Sequence, residues 1–325
     1  MRALAGGYHA AVPADCLVIL NPQSGGGSAE RRFAPLEGRL RDLLGPCELE
    51  RSAGPRDAER LAREAVRAGV RRIVVAGGDG TLGEAVSGML AAGPVGDVQL
   101  GLLPLGTGLD FARSCGIPRD PARALELLAS GKPRPVDAGR IVLRDASGRE
   151  RRLGFLNVAS FGVSGLVVDL VNRGPKLPGS SMLGARLSFL VGTLRALLRF
   201  RCRPVKLRVD GKLVFEGPLA LCAVANGGWF GGGMHVAPEA RLDDGLLEVI
   251  VVREMSTAGL VARLPKLYAG SHLGDSAVVS FRGRVVEAEA APGEIPVEVD
   301  GDPLGLLPAR VEVVPGALSF LGPSQ

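Results

Sequence analysis

Five consecutive apolar residues, 16–20 (CLVIL), predict a short buried strand. The small and polar residues 21–28 (NPQSGGGS) break it, and a helix rich in Arg and Glu is expected from near Ala29. Residues 58–68 are helical by composition. The succession then repeats, with a strand at 72–76, a Gly-rich turn, and a helix from about Leu82. A third strand at 99–103 runs into PLGTGLDFARSCGIP, and another helix is expected at 121–130. Strands alternating with helices predict a parallel sheet covered on both faces.

After Val136 the pattern changes. RIVLRD, ERRLGFLNVAS, PVKLRVDGKLVFEG, PLALCAVANG, GLLEVIVVRE, AVVSFRGRVVEAEA and IPVEVDG read as short strands between turn residues. The step Val209-Asp210-Gly211-Lys212 has the chemistry of a hairpin turn. One apolar helical insertion, about 183–201, interrupts this half. Its longest apolar stretch, 187–198, contains Arg195 and follows Arg186, so it falls short of the ~18 apolar residues of a membrane span. Two domains are expected, an α/β domain over 1–137 and a β-sandwich over 138–325. Whether the last strand returns to the first domain stays open. The Pro-rich stretch 132–135 is read as the linker. The first sixteen residues carry one Arg and no sustained apolar core, so no signal peptide is expected.

Of the 325 residues, 46% are hydrophobic and 22% charged, which suits a globular chain and excludes a disordered or fibrous one. The net charge of +5 modestly favours anionic partners. Aromatic residues are only 4%, which argues against a nucleic-acid binder that works by base stacking. The five cysteines (Cys16, Cys47, Cys115, Cys202, Cys222) are odd in number and form no C-x-x-C. They are expected as free thiols in a reducing cytoplasm rather than as disulfides or a zinc site. The three histidines, His9, His235 and His272, show no metal or catalytic spacing, which leaves carboxylates as the candidate bases.

Three Gly-rich loops each follow a predicted strand. Ligands of an open parallel sheet bind at that edge, and amide N–H groups at a helix N-terminus attract phosphate. Residues 78–83 also match G-x-G-x-x-G. Asp79, however, would put a carboxylate inside the turn meant for a pyrophosphate, and no acid about 20 residues on ends a strand to hold a ribose. An acid in a phosphate loop makes more sense beside Mg²⁺, which reverses the local sign of charge. The lysine-bearing loop G-x-x-x-x-G-K-[ST] is absent.

Asn21-Pro22-Gln23-Ser24-Gly25-Gly26, Gly77-Gly78-Asp79-Gly80-Thr81 and Pro104-Leu105-Gly106-Thr107-Gly108-Leu109-Asp110-Phe111-Ala112-Arg113 resemble the diacylglycerol kinase catalytic family, which includes sphingosine, ceramide and bacterial lipid kinases. The resemblance continues through 157–162, PEARLDDGLL (238–247) and Val299-Asp300-Gly301-Asp302-Pro303, in family order. It implies a nucleotide-binding α/β domain like those of phosphofructokinases and NAD kinases, followed by a β-sandwich. It implies transfer of the ATP γ-phosphate to a lipid hydroxyl in the cleft between them, with diacylglycerol the default substrate. An NAD kinase is the alternative enzyme, and an inactive lipid- or nucleotide-binding regulator the alternative from another class.

Nucleotide contacts are expected from Asn21, Pro22, Gln23, Ser24 and Gly25, and from Gly77, Gly78, Asp79, Gly80, Thr81, Leu82 and Gly83. By similarity Ser52 and Thr107 join them, and Asp79 acts through metal or ordered water. Asp300 and Asp302 flank one glycine. They share a side if the strand continues, and flank one pocket if the glycine turns. The family's proton acceptor occupies the second position in some members, so Asp302 is slightly favoured over Asp300, though it is one methylene shorter than the usual Glu. The resemblance also implies a structural Mg²⁺ held by the Asp244 carboxylate and the main-chain carbonyls of Arg241 and Leu246. Leu109 replaces a common Asn, and Asp110 either orients the substrate hydroxyl or caps a helix. Trp229 and Phe230, in a Gly-rich loop, contact the cleft or pack in the core. The apolar insertion, with Arg199, Arg201, Arg203, Lys206 and Arg208 after it, suits an anionic membrane surface. The expected location is the cytoplasm, peripheral at the inner membrane face. A homodimer is left open.

Overall fold

A computed structural model describes residues 15–145, 147–173, 192–193, 195–291 and 295–323. Three buried apolar runs, β1 (Cys16–Leu20), β3 (Arg72–Gly77) and β4 (Gln99–Pro104), form a parallel sheet with the edge strand β2 (Cys47–Arg51), in the order β2-β1-β3-β4. β2 escaped the sequence reading because CELER alternates and is only half-buried at the sheet edge. The crossovers between these strands are helical, beginning with α1 (Ser24–Gly27), α2 (Ala29–Phe33) and α3 (Glu37–Leu44) between β1 and β2. They include α4 (Asp57–Arg67), which buries Ala58, Leu61, Ala62 and Ala65, one helical stripe. They also include α5 (Asp79–Ala92), which begins inside the second Gly-rich loop, three residues before the expected start. The short α6 (Asp110–Ser114) and α7 (Pro121–Ser130) follow β4. α7 starts with Pro121 behind Asp120, whose side chain accepts the Arg123 N–H at 2.9 Å.

The Pro-rich stretch at 132–135 is not a linker. It is the start of β5 (Lys132–Arg144), paired antiparallel with the long last strand, β14 (Asp302–Gly322). Over residues 132–138 β5 has β14 as its only strand neighbour among the described residues, since β6 (Glu150–Phe155) joins from Gly139 on. Prolines are tolerated on such an edge because it asks for no further ladder N–H. β14 also pairs parallel with β4 at Ser319 and Phe320. β5 and β14 thus run through both halves of the molecule. Val136, Ala138, Leu318 and Phe320 enter the α/β core, and Ile141, Leu143, Val311 and Val313 enter the second core.

The second half is a β-sandwich domain of antiparallel strands. β7 (Val158–Gly162), β9 (Lys212–Ala225), β8 (Arg203–Val209), β12 (Val285–Glu289), β14 and β13 (Pro296–Val299) close on one another around the second core. β10 (Leu247–Arg253) and β11 (Val278–Gly283) extend the sheet from β9. Asp210 (φ 49°) and Gly211 (φ 78°) make the expected tight hairpin turn between β8 and β9.

Two helices were not expected here. α8 (Val163–Arg173) follows β7, and α9 (Thr257–Ala269) starts at Ser256, whose hydroxyl accepts the Gly259 N–H at 3.1 Å. Pro265 lies within α9, which is why its sequence does not read as helix. Residues 195–199 are helical, whereas 183–191 and 194 of the expected insertion helix lie outside the described residues. Among the described residues no helix is long and apolar enough to cross a membrane. The cysteines are free. Cys16, Cys115 and Cys222 are buried, and Cys47 and Cys202 half-buried.

Candidate active site

The C-terminal ends of β2, β1, β3 and β4 lie side by side and carry Ser52, Asn21, Gly78 and Leu105 just beyond them. The Ser52 N–H donates to the Leu20 carbonyl (2.9 Å), and the Asn21 N–H to the Ala76 carbonyl (3.1 Å). In the first loop the Asn21 amide donates to Thr81 Oγ1 (2.9 Å) and accepts the Gln23 N–H (3.0 Å). Ser24 Oγ lies 3.4 Å from Thr81 Oγ1. A single turn (α1, Ser24–Gly27) follows, with Gly25 and Gly26 left-handed at φ 62° and 69°. A Cβ on Gly25 would lie 2.6 Å from the Leu105 carbonyl oxygen, so this loop touches the third one through backbone.

The second and third loops are locked more tightly. The Gly77 carbonyl accepts the N–H groups of Leu105 (2.9 Å) and Gly106 (3.0 Å). A Cβ on Gly106 would stand 2.5 Å from the Gly78 Cα, a separation that only paired glycines permit. Asp79 opens α5, but its carboxylate points to another helix. Its two oxygens accept the N–H groups of Asp110 and Phe111, each at 3.0 Å, and so satisfy the first turn of α6. Leu109, just before α6, is left-handed at φ 57°. The Asn usual in the resemblance tolerates that conformation. Here Leu adopts it at a cost of about 1–2 kcal/mol while its side chain enters the core. Thr107 is exposed at the loop tip.

Opposite stands the turn between β13 and β14. Asp300 (φ 48°) and Gly301 (φ 90°) make the reversal, so the turn alternative holds and both acids line one cavity of about 340 Å³. Their environments differ. The Asp300 carboxylate accepts three main-chain N–H groups, from Leu156, Asn157 and Val158, at 2.9–3.0 Å. Burial pushes it up to about 7 against those donors, which favour the ionised form. Asp302 has no such bonds among the described residues. Burial raises it above its ordinary 3.8, opposed by the Arg56 guanidinium. The turn sits on the first turns of α5. Built Cβ atoms on Gly83 and Gly80 would lie 3.1 Å from Asp300 Oδ2 and 3.4 Å from Asp302 Oδ2. The glycines of the apparent dinucleotide motif thus admit two carboxylates to the helix beside the phosphate edge.

Sequence reasoning missed three residues of this region. Glu298 is 2% exposed beneath the turn, where it accepts the Gly301 N–H at 3.0 Å and the Ser160 hydroxyl proton. Burial pushes it up to about 7. It read only as a strand residue, although a Glu inside IPVEV is itself a signal. Glu84 accepts the Arg56 N–H at 2.7 Å and also lines the cavity. Arg56 is the cation that acts on Asp302. Asp110 is buried, bonds Arg113 at 2.6 Å and accepts the Gly232 N–H at 2.7 Å, tying the third loop to the Gly-rich loop at 227–233. Burial, then Asp79, push it up to about 6. Trp229 in that loop stacks on His235 (ring centroids 3.9 Å apart) beneath the Arg113 guanidinium.

The expected metal loop lies apart from this cluster. Asp244 accepts the Leu246 N–H at 3.0 Å, and its other oxygen meets Arg282 at 2.5 Å. A guanidinium already neutralises the carboxylate, and a cation there would have to displace it. Main-chain carbonyls are ordinary Mg²⁺ ligands, so with Arg282 moved aside the Asp244 carboxylate and the carbonyls of Arg241 and Leu246 would suit the expected ion. Among the described residues no three carboxylate, histidine or cysteine side chains gather as a metal cage. Asp79 does fit the usual protein share of a nucleotide's Mg²⁺, because that ion takes one or two carboxylates and otherwise phosphate and water.

A model of the diacylglycerol kinase catalytic domain matches residues 15–141, and a model of the YegS C-terminal NAD kinase beta sandwich-like domain matches 157–322. The chain is 34% identical over 307 residues to a "Diacylglycerol kinase" of Mycobacterium tuberculosis, covering 94% of each chain. It is 37% identical over 268 residues to a "Probable lipid kinase YegS-like" of Pseudomonas aeruginosa, covering 81% of this chain and 80% of that one. Its fold matches a crystal structure of a diacylglycerol kinase from Bacillus anthracis (TM-score 0.68, 22% identity, 95% and 96% covered). It also matches yeast NADH kinase (TM-score 0.50, 10% identity, 95% and 82% covered). With both halves matched and the Mycobacterium tuberculosis relative spanned almost end to end, the chain belongs to the diacylglycerol kinase catalytic-domain family, and is a lipid kinase that phosphorylates an alcohol group.

Proposed function

We propose that the chain transfers the γ-phosphate of ATP to the free hydroxyl of diacylglycerol, giving phosphatidic acid. The observation that carries this reading is the meeting of Asp302 with the Gly80 turn of α5, where a carboxylate with no hydrogen bond among the described residues faces the phosphate-binding edge. The name of the relative that spans 94% of the chain supports the lipid.

The phosphates of ATP lie along the loops at Asn21–Gly25, Gly77–Thr81 and Thr107, with Ser52 at their flank, where amide N–H groups and the N-terminus of α5 favour negative charge. Asp79 would hold a nucleotide-bound Mg²⁺ on the protein side, and that ion would supply charge neutralisation to the phosphates. Asp79 also fixes the start of α6 and thereby the third loop. Asp302 takes the proton from the lipid hydroxyl. Burial raises its pKa above the ordinary carboxylate value, which makes it a stronger base than an exposed aspartate. Asp300 is a positioning residue, since both of its oxygens accept main-chain N–H groups from residues 156–158.

The lipid reaches the cleft from a bilayer. Leu198 is 68% exposed between the exposed Arg195, Arg199 and Arg201, a surface suited to anionic headgroups. Reversing the charge at Arg199 and Arg201 is expected to weaken sedimentation with anionic vesicles, and unchanged binding contradicts that docking face. The reaction itself is tested by labelled ATP with Mg²⁺ and mixed micelles of diacylglycerol, monoacylglycerol, ceramide, sphingosine or phosphatidylglycerol. Label in phosphatidic acid is expected, and label in another lipid alone overturns the substrate.

A further inference from the structure

A second cavity, of about 390 Å³, shares no lining residue with the one that holds Asp300 and Asp302. Three arginines from separate parts of the chain line it: Arg113 on α6, Arg134 on β5, and Arg241 in the loop before β10. Asp243 is its one lining carboxylate among the described residues, and the Trp229–His235 stack forms part of its wall. Burial and the neighbouring His272 hold His235 below the ordinary histidine value, so at neutral pH it is an uncharged hydrogen-bonding ring.

The three cations are not equally satisfied. Arg113 pairs with Asp110 at 2.6 Å, and Arg241 with Asp243 at 3.5 Å. Arg134 makes no ion pair among the described residues. Its Nε is buried without an acceptor among the described residues, and its polar neighbour is the buried Cys115 thiol, a weak partner. A buried guanidinium N–H left without an acceptor is unfavourable unless something else supplies one. Guanidinium groups match phosphate oxygens in pairs, and the cavity volume lies in the range of small-ligand sites.

We propose that this cavity is a second anion site, which binds a phosphate monoester independently of the nucleotide. Arg134 supplies its unpaired guanidinium, and Arg241 and Arg113 close on the remaining oxygens. The site reports to the active site by a short path. Arg113 is bonded to Asp110, and the Asp110 N–H donates to Asp79. An anion that draws Arg113 away from Asp110 therefore acts on the helix start that Asp79 holds. The monoester comes either from a lipid headgroup or from soluble phosphate.

The test is calorimetric titration of inorganic phosphate into the full chain saturated with Mg²⁺ and a non-hydrolysable ATP analogue, which occupies the loop edge. One phosphate per chain is expected beside the analogue, weakened at least tenfold in Arg134→Gln. Should Arg134→Gln fail to fold, Arg241→Gln, whose side chain is largely exposed, carries the same expectation. Dihexanoyl phosphatidate that displaces the phosphate supports the proposal with a headgroup source. Bound phosphate that resists it supports the proposal with a soluble source. No phosphate bound beside the analogue, or equal affinity in the variants and the wild type, overturns it.

Discussion

On the N-terminal side of the cleft, three loops are held by backbone against backbone. Gly106 meets Gly78, Gly25 meets Leu105, and the Gly77 carbonyl takes two amides. On the C-terminal side, carboxylates hold the backbone, Asp300 by three N–H groups and Glu298 by one. The two sides fail differently. A methyl group is too much on the first, and an exchange of oxygen for nitrogen is enough on the second. Asp79 belongs to both designs, since it is a side chain that organises a Gly-rich edge.

The largest effect is expected from Gly106→Ala. Its Cβ would collide with main chain, which cannot rotate away, so a loss of about 3 kcal/mol and of nucleotide binding is expected. Thermal unfolding and titration of an ATP analogue check this, and a variant that binds nucleotide normally shows that the loops are not backbone-locked. Asp79→Asn comes next. An amide keeps one acceptor for two N–H groups, so a loss of about 1–3 kcal/mol is expected, with weakened Mg²⁺ dependence of phosphate transfer. Unchanged stability in that variant would remove the capping role.

The smallest effect belongs to Glu298→Gln. The folded-state pKa of Glu298 is raised to about 7, above its ordinary 4.5, so the folded chain holds this proton where the unfolded chain has lost it. Stability attached to the group is therefore present at low pH and declines as pH rises from about 4 to 7. Gln removes the charge and keeps an acceptor for Gly301. The variant is expected to gain melting temperature relative to wild type at pH 8 and to lose that gain near pH 4. A gain of equal size at both pH values contradicts a buried titrating group.

The sequence shows the N-terminal side more readily than the C-terminal side, and the reason is chemical. Glycine clusters after buried strands mark close backbone approach, so Asn21–Gly25, Gly77–Thr81 and Gly106–Gly108 stand out in the sequence itself. The fold class was legible too, from strands alternating with helices and then a run of short strands. What stayed hidden depends on contacts far apart in sequence. Nothing local in Val299-Asp300-Gly301-Asp302 says that one acid is spent on residues 156–158 while the other stays free. Lys132-Pro133-Arg134-Pro135 reads as a linker because its partner strand lies some 190 residues away. Gly80 and Gly83 read as a phosphate motif, yet their second use, admitting Asp302 and Asp300, appears only when the two halves meet.

The difference between the two acids of the turn is the central claim, and one paired measurement tests it most directly. Asp302→Asn and Asp300→Asn are compared for single-turnover transfer of labelled phosphate to lipid, and for melting temperature. Asp302→Asn is expected to fold as wild type, bind nucleotide, and transfer phosphate about 10²–10⁴-fold more slowly, with the pH dependence of the step lost. Asp300→Asn is expected to lose about 2–3 kcal/mol of stability, because its single amide oxygen cannot serve three N–H groups. The reverse pattern, a stable but inactive Asp300→Asn beside an active Asp302→Asn, would make Asp300 the proton acceptor and Asp302 dispensable, and would contradict the division of labour between them.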